Sequence, residues 1–198
     1  MKNKFIVTIF LIFLNFYSSQ IILAEEFIFE ISDLEITDNG NIYKGKNRGK
    51  IITDTQLELI SDNFEYKKKS NLLKTSGNVQ LFDSKNNISI NAETIIYFKD
   101  KDKISTIGKT SIKVSNNYTI EGHDLTLLMD KMILSSNKST TITDKNFNKY
   151  MLEKFSYFIN QEILKGENIE VLTNKNNLPN SDKFFIKIGF FDLKKNEF

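Results

Sequence analysis

From Glu25 onward the chain alternates apolar and polar positions with a period of two. The runs Val79-Gln80-Leu81, Ile88-Ser89-Ile90-Asn91-Ala92 and Ser111-Ile112-Lys113-Val114 show it most plainly. Successive side chains of a strand point to opposite faces, so this pattern predicts strands with one apolar face. Polar clusters interrupt the runs: Asp38-Asn39-Gly40-Asn41, Asp83-Ser84-Lys85-Asn86-Asn87, Ser115-Asn116-Asn117 and Ser135-Ser136-Asn137. Short alternating runs with turn residues every 8–12 positions or so predict an all-β sandwich, roll or barrel. Helix-period amphipathicity is not sustained, and Lys149 to Phe158 is the one ambiguous stretch.

A second period, of 31 residues, runs through the same pattern. Asp62, Glu93 and Asp124 keep it, as do Gly77 and Gly108, and Tyr66 and Tyr97 with Leu128 next. The phrase Ser61-Asp62-Asn63-Phe64-Glu65-Tyr66 returns as Ala92-Glu93-Thr94-Ile95-Ile96-Tyr97, then as His123-Asp124-Leu125-Thr126-Leu127-Leu128. A weaker fourth copy runs from Phe155-Ser156-Tyr157 to Val171, and the ending from Phe191 reads as the start of a fifth. A unit of this length holds about four short strands or two longer bent ones. One unit cannot cover its own apolar face, but stacked units can, giving an elongated sheet pair. The glycines fit points where the chain turns tightly or backbones approach.

The first 24 residues follow a different pattern. Lys2 and Lys4 precede an apolar run from Phe5 to Leu14, and Ala24 precedes Glu25-Glu26. This reads as a secretory signal cut after Ala24, with residues 25–198 as one exported β domain. Ile22 is bulkier than the small residue usual three positions before a cut. The alternative is an uncleaved anchor over Phe5–Ala24, about long enough to span a bilayer. The signal also changes the charge arithmetic. The chain carries +2 overall, but without its two leading lysines 25 basic side chains face 25 acidic ones. No basic partner surface follows from that balance, and nucleic acid is not an expected partner. Lysine outnumbers arginine 26 to 1, Arg48 alone, which also argues against bidentate reading of bases or phosphates.

Candidate chemistry is sparse. There is no Cys and one His, His123, which excludes disulfides, thiolate metal sites and cysteine nucleophiles. No metal or cofactor is expected. Gly108-Lys109-Thr110 is similar to the end of a phosphate-binding loop, but Lys103 stands where that motif needs its first Gly. The column Asp62, Glu93, Asp124 could supply paired carboxylates or calcium ligands. Each acid follows an alternating strand at the same place in its repeat, so a carboxylate accepting backbone N–H bonds at a bend is the better reading. His123 faces away from its neighbour Asp124 on a strand and makes no dyad with it. Catalytic residues are therefore not expected. What remains is apolar strand surface, which either fills a core or lines a groove for lipid tails.

Two phrases bear on that choice. Thr75-Ser76-Gly77-Asn78-Val79-Gln80-Leu81 followed by Ala92-Glu93-Thr94-Ile95-Ile96-Tyr97-Phe98 resembles the organic solvent tolerance family. There an Ala-Asp-x-x-x-Tyr phrase alternates with a Gly-Asn-Val phrase. The resemblance covers about Ile51 to Phe198, and it departs at Gly108-Lys109-Thr110 and at His123. Lys165-Gly166-Glu167-Asn168-Ile169 and Gly189-Phe190-Phe191-Asp192-Leu193 are similar to the periplasmic domain of the family's outer-membrane lipopolysaccharide-assembly member. A soluble bridge member and an inner-membrane-anchored member are the alternatives. The chain ends at Phe198 part-way into another repeat.

The resemblance implies an antiparallel β-jellyroll whose apolar groove carries lipopolysaccharide acyl chains through the periplasm to the outer membrane, without catalysis. It implies other lipopolysaccharide-transport proteins as partners, docked end to end through strand edges. The expected groove residues are the apolar members of the alternating strands: Leu57, Leu59, Val79, Leu81, Ile88, Ile90, Ile112, Val114, Ile120, Leu125 and Leu127. The competing expectation is a structural β-repeat protein with a filled core that docks envelope partners through its edges.

Overall fold

The computed structural model describes residues 27–115, 117–174 and 182–195. The expected signal or anchor lies outside them. Among the described residues there are seventeen strands, every pairing is antiparallel, and the helical elements are four three-residue 3₁₀ turns. The chain is therefore all-β, as the alternation predicts.

The strands form two layers. The first is built from β1 (Phe27–Glu30), β4 (Gly49–Thr53), β5 (Leu57–Ser61), β10 (Tyr118–His123), β13 (Thr140–Asp144) and β14 (Lys149–Leu152). The second is built from β2 (Asp33–Thr37), β3 (Ile42–Lys46), β6 (Asn63–Lys67), β11 (Thr126–Leu128), β12 (Ile133–Ser136) and β15 (Lys154–Phe158). Five long strands belong to both: β7 (Leu72–Asp83), β8 (Ile88–Phe98), β9 (Lys103–Val114), β16 (Ile163–Leu172) and β17 (Lys183–Asp192). The pairings show the division. The second half of β7 meets β5, while its first half meets β6. The second half of β9 meets β10, while its first half meets β11. One continuous sheet is thus folded over on itself.

The fold line is the 31-residue repeat seen end-on. Register shifts fall between Ser76 and Val79 on β7 and between Ala92 and Thr94 on β8. Gly77 and Gly108 have φ of +79° and +82°, a conformation that favours glycine. The periodic acids lie over them. A Cβ on Gly77 would sit 2.8 Å from an Asp62 carboxylate oxygen, and one on Gly108 would overlap the Glu93 carboxylate. Each repeat is therefore a pair of bent strands: β8 and β9 turn the same corner at Glu93 and Gly108. Glu153, between β14 and β15, turns it for the stretch whose sequence was ambiguous between helix and strand.

Alternation fills the space between the layers. Leu59, Leu81, Ile90, Ile112 and Ile120 come from the first layer and Leu73, Ile95, Ile104, Leu134 and Leu164 from the second, all buried in one cluster. The opposite margin of each layer ends in turns. On the second layer these are short 3₁₀ turns at Lys68–Ser70, Lys99–Lys101 and Ile159–Gln161. Asn71, Asp102 and Glu162 close them with φ of 42°, 41° and 54°.

Candidate functional site

All eleven residues expected to line the interior are buried, at 3% exposure or less. Nine of them stand on the first layer: Leu57, Leu59, Val79, Leu81, Ile88, Ile90, Ile112, Val114 and Ile120. Leu125 and Leu127 face them from the second. Sequence reasoning named about half of the first wall, leaving out Ile51, Ile142, Leu152, Ile169 and Val171 among others, and missed most of the facing one. The facing wall is more aromatic, with Phe64, Tyr66, Tyr97, Phe155, Tyr157 and Phe191 buried on it. The signal was present in the 31-residue spacing of Tyr66 and Tyr97.

Of these, Tyr66, Tyr97, Tyr157 and Phe191 lie toward the margin opposite the fold line and meet partners from the first layer there, while Phe64, opposite Thr75, and Phe155, opposite Gly166, lie near the bends. Phe27 packs on Tyr66 with ring centres 4.5 Å apart and lies edge-on to Tyr97 at 6.5 Å. Tyr118 meets Tyr157 edge-on at 5.5 Å, and Tyr150 meets Phe191 at 5.7 Å. Such geometry adds about 0.5–1.5 kcal/mol per pair beyond the area buried. Polar tips tie the same margin. Lys99 Nζ pairs with Asp54 Oδ2 at 3.1 Å, and Lys99 lies over the Phe27 ring. The Tyr118 hydroxyl donates to Glu162 Oε2 at 2.8 Å.

Burial pushes the Tyr97 hydroxyl up to about 12, with Asp102 adding to the shift. Burial also raises Tyr118, Tyr150 and Tyr157. The tyrosines are therefore neutral hydroxyls at physiological pH. Tyr118 bonds across the margin to Glu162, Tyr150 bonds to Asp144 within the first layer, and the buried Tyr157 hydroxyl has no hydrogen-bond partner among the described residues. A pocket of about 400 Å³ lies between the two layers at this margin, with Asp54, Thr55 and Leu57 on one side and Tyr97, Asp102 and Met129 on the other.

The acidic column sits elsewhere, on the outside of the fold line. Asp124 accepts the Gly108 N–H at 2.9 Å and pairs with Lys138. Glu93 accepts the Lys109 N–H at 3.3 Å. Asp62 is held by Arg48 at 3.2 Å and by the Asn78 amide at 2.7 Å. Asp62 lies at the Gly77 bend, while Glu93 and Asp124 share the Gly108 bend through adjacent backbone N–H groups, and each carboxylate is taken up by its own donors. Asn168 donates to Glu153 in the same way at 2.6 Å, one repeat further on. Among the described residues no group of three or more His, Asp or Glu could hold a metal ion. His123 is exposed on β10 opposite Lys109.

The bond to Lys138, then the Gly108 N–H, holds the Asp124 carboxyl below the usual carboxylate range. A group depressed in the folded state stabilises the fold above its unfolded value, about 3.9 for Asp, and loses that contribution as pH falls through its folded value. Wild type should accordingly lose stability between about pH 4 and lower values more steeply than Asp124→Asn, as followed by urea midpoints across pH. Superimposable pH profiles would remove Asp124 from the account of the bend.

No protein-family model and no curated protein matches the chain. Among solved structures it is similar to LptH. That protein is the LptA-homologous periplasmic component of the lipopolysaccharide transport device of Pseudomonas aeruginosa, and the match covers 81% of this chain and 93% of that one at 10% identity, with a TM-score of 0.42. A second match is the TCP10 domain of Danio rerio CPAP in complex with a STIL peptide, covering 81% and 99% at 10% identity with a TM-score of 0.16.

Proposed function

We propose that the chain is a non-enzymatic module of lipopolysaccharide transport and outer-membrane assembly, sheltering acyl chains between its two layers. The carrying observation is the single apolar interior that extends from Phe27 on β1 to Phe191 on β17. Each methylene moved from water into such an interior gains about 0.8 kcal/mol, so shelter alone can carry a lipid without a covalent step. The Gly77-Asn78-Val79 and Ala92-Glu93…Tyr97 phrases add the family resemblance, and they coincide with the bend that makes the two layers. In this reading the module works in the periplasm, in association with the outer membrane. It meets other lipopolysaccharide-transport proteins by strand addition at its ends. Among the described residues β17 pairs with β16 alone, and β1 and β2 pair with β4 and β3 alone. Those ends expose Ile188 and Phe185 on one side and Ile28 and Ile36 on the other.

A second reading, a structural β-repeat protein with a filled core, is favoured by the tight burial of the eleven first-named residues. Photo-crosslinking separates the two. A photoreactive amino acid at Ile90 or Ile112 on the first wall, or at Leu73 on the second, is expected to capture labelled lipopolysaccharide. The same group on the outer face at Ser89 is expected not to. Equal labelling at Ser89 and Ile90 of the folded protein, or none at any interior position, would leave the filled-core reading.

A further inference from the structure

The folded sheet has two long margins, and they differ in what holds them. At the fold line β7, β8, β9, β16 and β17 pass unbroken from one layer to the other, so separation there requires breaking strands. At the opposite margin, among the described residues, no backbone hydrogen bond crosses from one lip to the other. Each lip is stiff along its own length. On the second layer, the backbone N–H groups of Lys68, Lys99, Met129 and Ile159 donate to Asn41, Asn71, Asp102 and Met132, linking turn to turn. On the first layer, Ser115 N–H donates to Asn87 in the same manner. Two stiff lips joined by side chains alone, opposite a continuous hinge, define a hinge and a latch.

We propose that the sandwich opens along this margin, that Lys99–Asp54 and Tyr118–Glu162 are its latch, and that an alkyl chain enters there. The proposal rests on the lipid-module reading for its ligand, but the latch stands on contacts alone. The pocket lies at the first of these contacts, with Asp54 and Asp102 at its brim and Leu57, Tyr97 and Met129 leading inward. Leu57 belongs to the buried interior, so the pocket is the outer end of the space between the layers. The Lys99 side chain is 15% exposed, so its ion pair with Asp54 is partly sheltered from solvent screening. The Tyr97 ring lies edge-on to Phe27 at 6.5 Å and closes the core beneath the lips. Loss of the latch therefore opens the route without removing a strand pairing.

The chain has no cysteine, so introduced thiols report cleanly. Nitroxides on Lys85→Cys and Lys131→Cys, exposed positions on the two lips, read the width of the margin. In a background of Asp54→Asn and Tyr118→Phe the distance distribution is expected to lengthen and broaden. The single change Tyr118→Phe, which keeps the ring, should move it part of the way. Fluorescent lipopolysaccharide should enter the double variant about tenfold faster than wild type, in line with the loss of one or two net hydrogen bonds. In a separate protein, Asp54→Cys with Lys99→Cys, joining the thiols with a short bis-maleimide should suppress entry relative to the same protein left unjoined.

Unchanged distances in both latch variants would overturn the latch. Entry unaffected by the crosslink would overturn the portal and send the lipid to the open ends of the sandwich. Widened lips with no uptake by any form, wild type included, would overturn the transport reading while the latch stood.

Discussion

Leu59→Ala is expected to destabilise the fold by about 2–5 kcal/mol, the range for a large-to-small change in a packed core. Leu59 is fully buried in the middle of β5, opposite Ile51 on β4 and Leu81 on β7. Its neighbour Glu58 faces outward, and Glu58→Ala should stay within about 0.5 kcal/mol of wild type. Urea unfolding of the two variants reads the difference directly, with the midpoint moving and the slope unchanged. The contrast tests the register as well as the packing, because a one-residue slip would exchange the two outcomes. A small marginal domain has about 5–15 kcal/mol in total, so the larger loss removes much of it. Equal midpoints for the two variants would mean that β5 does not present its odd-numbered residues to the interior.

The second large effect belongs to the bend. Gly108→Val places a β-branched side chain at a φ of +82° and drives its Cβ into the Glu93 carboxylate. The backbone part alone costs about 1–3 kcal/mol for a residue held in a sparsely populated region. The steric part adds to it, so a total of about 3 kcal/mol or more is expected. Glu93→Ala removes the overlapping carboxylate. The double variant should recover the steric part and leave the backbone part, a coupling of about 1 kcal/mol or more between residues in contact. Thermal or urea midpoints of wild type, both single variants and the double complete the cycle. Strict additivity would mean that the acid does not lie over the glycine. The same logic makes the 31-residue repeat a mechanical statement: where an acid meets a glycine, the sheet folds.

Much of this architecture was legible because it is written locally. The alternation in Val79-Gln80-Leu81 and Ile88-Ser89-Ile90 places those side chains on opposite faces whatever the strand pairs with, and the apolar set is the buried set. The acid and glycine columns marked the bends, and the carboxylates accept backbone or side-chain donors there, as at Asp124 and Gly108. The stretch Lys149 to Phe158 was ambiguous because its apolar spacing suits either period. It becomes two strands because β13, β16 and β12 offer pairing partners on both sides of Glu153.

The second wall was less legible for a physical reason. Tyr66, Tyr97 and Tyr157 could be interior, exposed or interfacial, since a tyrosine buries its ring and still needs a partner for its hydroxyl. Their burial is decided by rings that arrive from far along the chain: Phe27 against Tyr66, and Tyr118 against Tyr157. The lips have no sequence signature at all. Asp54 and Lys99 are 45 positions apart and Tyr118 and Glu162 are 44 apart, and nothing in either spacing distinguishes them from other polar pairs.

By itself the sequence determined the strands, their buried faces, the repeat and the places where the strands bend, because each depends on side-chain period or on the conformational freedom of one residue. The tertiary structure alone decided that the bends align into one hinge, that the two walls differ in aromatic content, and that the opposite margin is held by side chains. Those features arise from pairing between distant segments, whose geometry is set by the whole folded sheet and by no local stretch of it.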